Sequence, residues 1–163
     1  MNTQQISSTL KTLFSELVDG SSGPESYMLN RGDPGLFRSL DKLSAQAASS
    51  DRGGASIAAH ADHLRYGLSL MNRWSAGEEP FATADWSQSW RIRNVSESEW
   101  KQIRADLEAE ARRWADGLDN ARDVSQAEMN GVVSVIAHLA YHLGAIRQID
   151  RASRGPAEQE IAR

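Results

Sequence analysis

The sequence predicts an all-α fold, a four-helix bundle with long connections, and three observations carry that reading. Apolar residues recur at helical spacing in each apolar segment, clusters of Gly, Pro, Ser and Asp separate these segments, and no run alternates as a strand would. Several amphipathic helices in one chain bury their apolar faces against one another. At 163 residues the chain has the size of one domain, enough to bury roughly 70% of its unfolded surface. Residues 1–154 read as that domain, and 155–163, with Pro156 and mostly polar residues, as a frayed tail.

The first helix is expected from about Thr3 to Val18, where Ile6, Leu10, Leu13, Phe14 and Leu17 share one face. Asp19-Gly20-Ser21-Ser22-Gly23-Pro24 stops it, because Gly and Pro together deny a regular helix. After the loop Leu29–Gly35, Asp33-Pro34 is a start signal for a second helix carrying Leu36, Phe37, Leu40 and Leu43. Ser49–Gly54 is a polar break. A third helix then begins near Ala55, capped by Ser56 or a neighbour, and runs through Ile57, His60, His63, Leu64, Leu68 and Met71 to about Trp74.

Gly77-Glu78-Glu79-Pro80 ends that helix, and Phe81–Val95 reads as an ordered connection with a short helical turn around Trp86–Trp90. Ser96-Glu97-Ser98-Glu99 places acidic groups at the positive end of the next helix, which carries Trp100, Ile103, Leu107, Ala111, Trp114 and Leu118. The last helix starts near Ser125 and is expected to continue to about Ser153.

Composition excludes several functions. The net charge of −4 and the absence of a long basic cluster argue against nucleic acid as a partner. With no cysteine there is no disulfide, thiolate nucleophile or sulfur metal ligand, so any metal is held by nitrogen or oxygen. The first residues lack a basic stretch followed by an apolar one, and no uninterrupted apolar run of about 20 residues suggests a membrane span. A cytoplasmic protein with no membrane partner is the expectation.

The chemistry-bearing residues are the histidines. All four fall in two close pairs, His60 with His63 and His138 with His142. Residues four apart on a helix differ by about 40° around its axis and about 6 Å along it, so His138 and His142 can point at one object. Two desolvated imidazoles facing one cavity each need a partner and would repel each other if protonated; a shared metal ion answers both needs. At spacing three, only one of His60 and His63 needs to face the bundle axis; His63 lies in phase with Ala59 and Leu70. Three nitrogen ligands leave coordination positions open for water or substrate. Leu139 follows His138 where a zincin protease would carry Glu, so protease chemistry is disfavoured. The five tryptophans read first as packing, with Trp86 and Trp90 placed over the open end of the bundle. Arg147 and Gln148 read as structural rather than as anion ligands, and Tyr141 as pointing away from the imidazoles.

The pattern His60-Ala61-Asp62-His63-Leu64, joined to His138-Leu139-Ala140-Tyr141-His142-Leu143-Gly144-Ala145-Ile146-Arg147-Gln148, resembles the DinB-like superfamily of damage-inducible, metal-dependent proteins. The likeness extends to Gly67-Leu68, to Asn72-Arg73-Trp74 and to Asp85-Trp86-Ser87-Gln88-Ser89-Trp90. It implies a divalent ion, such as zinc, nickel or iron, held by His63, His138 and His142, with His60 at the motif's variable upstream position. It also implies a homodimer packed through helices, and a site that activates a low-molecular-weight thiol or water, as in a thiol transferase or a hydrolase. Lacking cysteine, this chain would need an external thiol. The competing expectation is a non-catalytic stress-response or ligand-binding bundle with a structural or vestigial metal site.

Overall fold

The computed structural model describes residues 3–21, 25–119 and 123–156. Six α-helices follow in order: α1 (Thr3–Asp19), α2 (Gly35–Asp41), α3 (Ala45–Ala48), α4 (Ile57–Ser75), α5 (Glu97–Gly117) and α6 (Gln126–Ile149). Single 3-10 turns occupy Pro80–Thr83, Ser89–Arg91 and Arg151–Ser153, and no strand occurs among the described residues. Helix α4 packs on α5 and α6, while α1 closes the ring against α6 and α5. The core they enclose includes Phe14, Leu17, Leu36, Leu40, Ile57, Trp100, Leu107, Leu139, Leu143 and Ile146.

Local signals set the helix starts. The Ser56 hydroxyl accepts from the Ala59 amide at 3.1 Å, so α4 is capped by the serine the sequence nominates. Ser96 with Glu99 and Ser125 with Glu128 form reciprocal capping boxes that open α5 and α6. The Asp33 carboxylate accepts from the Gly35 amide at 2.8 Å, and α2 begins there with Pro34 at its cap.

Three elements differ from expectation. The second predicted helix ends at Asp41, and the sequence reading missed α3, a single turn capped by Ser44. Leu43 stays buried in the link, where its carbonyl accepts from the Trp100 indole N–H at 2.9 Å. At the other end, α6 stops at Ile149, short of Ser153, because the Asp150 backbone turns extended and its carboxylate accepts from the Ala152 amide at 2.7 Å. That local bond competes with the next helical turn. Gly155 and Pro156 lie against the domain, Pro156 accepting at its carbonyl from Asn30 at 3.0 Å; the rest of the expected tail lies outside the described residues.

By length and composition α6 would also qualify as a membrane span, a property hidden from a search for uninterrupted apolar sequence by Asn130, Ser134, His138 and His142. It contributes Ile136, Leu139, His142, Leu143 and Ile146 to the interior of this fold.

A tight joint links α1 to α2. Gly20 and Gly35 have φ of 93° and 71°, and a Cβ on either would overlap the backbone of the other segment. Beside this joint Arg147 of α6 makes a two-pronged ion pair with the buried Asp33, at 2.6 and 2.9 Å. Arg147 is therefore structural, though through a buried ion pair within the chain rather than as the surface or dimer contact expected from sequence. We predict that Gly20→Ala lowers stability by about 2 kcal/mol or more, adding steric overlap to the left-handed backbone penalty. Gly77→Ala, with φ of 90° but open space around it, should cost only about 1 kcal/mol. Urea denaturation of the two variants checks the difference.

Candidate metal centre

Helices α4 and α6 run antiparallel, as their side-chain pairs show: His60 meets His142, His63 meets His138, and Trp74 meets Gly131. The site forms where the two histidine pairs coincide. His63 Nε2 lies 3.1 Å from His138 Nε2, and His142 Nε2 lies 2.9 Å from the same atom. Each of His63, His138 and His142 offers a ring nitrogen within 4.8 Å of the other two. The structure thus brings together the three residues nominated from sequence, from two helices.

The donor set fits a divalent ion. Nitrogens bound about 2.1 Å from one centre stand about 3.0 Å apart at right angles and about 3.4 Å apart in a tetrahedron. The two separations at His138 Nε2, 3.1 and 2.9 Å, are close to these values, and the His63 and His142 nitrogens lie within 4.8 Å of each other. Three neutral imidazoles meeting through one nitrogen each cannot all pair by hydrogen bonds, since the His138 Nε2 has either one proton or one lone pair to share between two neighbours. A cation accepts a lone pair from all three.

His60 stands closer to the centre than an upstream variable position implies. Its Nδ1 lies 2.8 Å from His142 Nδ1, on the side of that ring away from the other imidazoles. In the tautomer that carries its proton on Nδ1, His142 donates to His60 and leaves its Nε2 lone pair facing the cluster, and the contact orients the ring. His63 lacks such support: its Nδ1 is buried without a hydrogen-bond partner. Ring packing holds it instead, with the Trp90 ring centred 4.4 Å away and Trp86 at 5.4 Å.

The connection, where Trp86 and Trp90 are the tryptophans set apart from plain packing, lies against α4 at these histidines. Trp90 also lies edge-on to His60 at 5.4 Å. What pins the connection is Asp62, to which the sequence reading assigned no role. Its carboxylate accepts from the Ser89 hydroxyl at 2.6 Å and pairs with Arg65 at 2.7 Å. Tyr66 accepts from the Asp85 amide at 3.0 Å, and the Ser56 hydroxyl donates to the Ile92 carbonyl at 2.7 Å. Tyr141 differs from the expectation of a packed residue pointing away from the imidazoles: it is exposed, and its ring lies edge-on to His142 with centroids 4.9 Å apart.

Burial sets the charge state. Relative exposure is 7% for His63 and 3% for His142. Loss of hydration, reinforced by repulsion from neighbouring imidazoles, pushes His63 down to about 4 and His142 down to about 3. Burial lowers His60 and His138 as well. The cluster is neutral at pH 7, and neutral ligands leave a bound ion most of its charge.

A cleft of about 470 Å³ opens beside His63 and His138 between α4 and α6. Leu64, Leu68, Met71, Val135 and Leu139 form its walls, with Phe81 and Trp86 at its mouth.

Compared with models of known protein families, with curated proteins and with solved structures, the chain matches none.

The depressed imidazoles make acid sensitivity predictable. A histidine that folds neutral takes up its proton more readily when unfolded, so unfolding is favoured wherever the unfolded chain binds more protons. The stability that His63 and His142 allow is therefore complete above their ordinary value of 6.5 and is lost as pH falls from there towards 4 and 3. Urea midpoints of the metal-free protein should fall steadily from pH 7 to pH 4, and His142→Phe should flatten that slope.

Proposed function

We propose that this chain is a DinB-like four-helix bundle in which His63, His138 and His142 hold one divalent ion. The observation that carries the reading is the convergence of three neutral ring nitrogens, from two antiparallel helices, beside a cleft. Zinc, nickel and iron all suit three imidazoles, and availability decides among them. Such an ion would supply Lewis acidity, lowering the proton affinity of water or of a small external thiol near neutral pH. The protein's part is to keep the imidazoles deprotonated by burial, to orient His142 through His60, and to exclude water with Trp86 and Trp90. Thiol transfer or metal-assisted hydrolysis follows from that chemistry.

A non-catalytic bundle is the second reading. The separations of 2.8 to 3.1 Å between ring nitrogens are also hydrogen-bond lengths, and without an ion the His60–His142 pair and one of the two contacts at His138 Nε2 would still hold. Elemental analysis of untagged protein, joined to a test for an exchangeable water on the bound ion, separates the two, because a structural ion has a closed coordination shell. We expect about one equivalent of metal in the wild type and none in His138→Ala or His142→Ala, with helicity retained. His60→Ala should weaken binding about 10- to 100-fold, the usual effect of losing a residue that orients a ligand. Metal-free wild type that takes up no zinc, nickel or iron would leave the non-catalytic reading.

A twofold homodimer in the cytoplasm completes the proposal. The outward side of α6 carries Val133, Ala137, Tyr141 and Gly144, an uncharged surface that can meet its own copy without like-charge conflict. Sedimentation at several concentrations should give the dimer mass.

A further inference from the structure

We infer that the cleft beside the imidazoles binds an uncharged, largely apolar organic molecule. This rests on the proposed site for its location and adds the chemical class of what lies next to it. The binding step itself needs no metal.

The lining is the first argument. Leu64, Leu68, Met71, Val135 and Leu139 face the cleft, and the polar groups there are His63, His138 and Ser134. Among the described residues no Asp, Glu, Lys or Arg lines it. A carboxylate, phosphate or ammonium entering this space would lose hydration and meet no opposite charge. An apolar solute gains by the same transfer. The volume of about 470 Å³ lies within the ordinary range of small-molecule sites.

Gly67 is the second. It lies buried within α4 with helical neighbours on both sides, where alanine favours the helix more than glycine. A Cβ at Gly67 would meet Trp86 at 3.6 Å and His138 at 3.7 Å, ordinary contact distances. Packing therefore does not demand glycine here. The missing side chain instead leaves the floor of the cleft open between Trp86 and His138. Gly131 differs, since a Cβ there would press on the Trp74 ring at 2.8 Å.

The mouth is the third. Phe81 and Trp86 remain 42% and 39% exposed although both are large apolar rings. Both belong to the connection after α4, and they offer flat faces to a planar guest.

The test uses 1-naphthalenemethanol, 1-naphthoate and 1-naphthylmethylammonium, three probes of similar shape and different charge. Binding is measured by calorimetry at pH 7.5 on protein treated with a chelator, so that no metal–carboxylate bond contributes. The neutral alcohol should bind at least tenfold more tightly than either ion. Gly67→Leu should weaken the alcohol at least tenfold. Ser134→Trp, at the solvent-exposed rim, should do the same and guards against misfolding of the first variant, with circular dichroism checking both. Equal or tighter binding of an ion overturns the inference, as does unchanged alcohol affinity in a folded variant. Metal content, measured separately, keeps the two readings apart: alcohol binding without metal uptake removes the metal centre alone, and metal uptake without alcohol binding removes only this assignment.

Discussion

The antiparallel register of α4 against α6 is the constraint on which the site depends. Each helix carries its own histidine pair, and neither pair alone surrounds anything. In this register His63 and His142 both reach His138 Nε2, at 3.1 and 2.9 Å, while His60 reaches the far nitrogen of His142. A slip of one residue would rotate the imidazoles of one helix by about 100° away from those of the other. At Gly131 the Trp74 ring packs on the bare backbone, where a Cβ would meet it at 2.8 Å and make it shift.

A second layer of constraint keeps the imidazoles dry. Asp62, between His60 and His63 in sequence, points away from them to the Ser89 hydroxyl and to Arg65. That carboxylate, with the Tyr66 and Ser56 hydroxyls that bond to Asp85 and Ile92, holds the segment carrying Trp86 and Trp90 over the rings. The depressed proton affinities of His63 and His142 follow from the resulting burial and from mutual proximity. The same tryptophan that shelters His63 also stands at the mouth of the apolar cleft, so the connection shapes the imidazole cluster and the space beside it together.

The C-terminal end of α6 is held by different chemistry. Arg147 pairs with the buried Asp33, whose backbone carbonyl also accepts from the Ser21 amide at 2.9 Å. Glu16 supports the neighbouring loop by accepting from the amides of Tyr27, Met28 and Leu29 at 2.8 to 3.1 Å. Removing one partner of such a buried pair leaves an uncompensated charge, so these contacts specify geometry more than they add net stability. They tie the helix bearing His138 and His142 to the α1–α2 joint.

Helical segments and their starts were legible in the sequence because both are local. Apolar spacing and the Ser56, Ser96 and Ser125 caps involve residues within one or two turns of each other. The short α3 and the early end of α6 were not legible, since Ser44 and Asp150 act through single side-chain bonds that composition alone does not distinguish. His138 and His142 were readable as a pair because their spacing is intrahelical. Whether His60 or His63 joined them, and what Asp62 and Gly67 do, depended on the rotation of α4 against α6 and on where the connection settles. Those are set by side chains far apart in the chain, and local periodicity does not encode them.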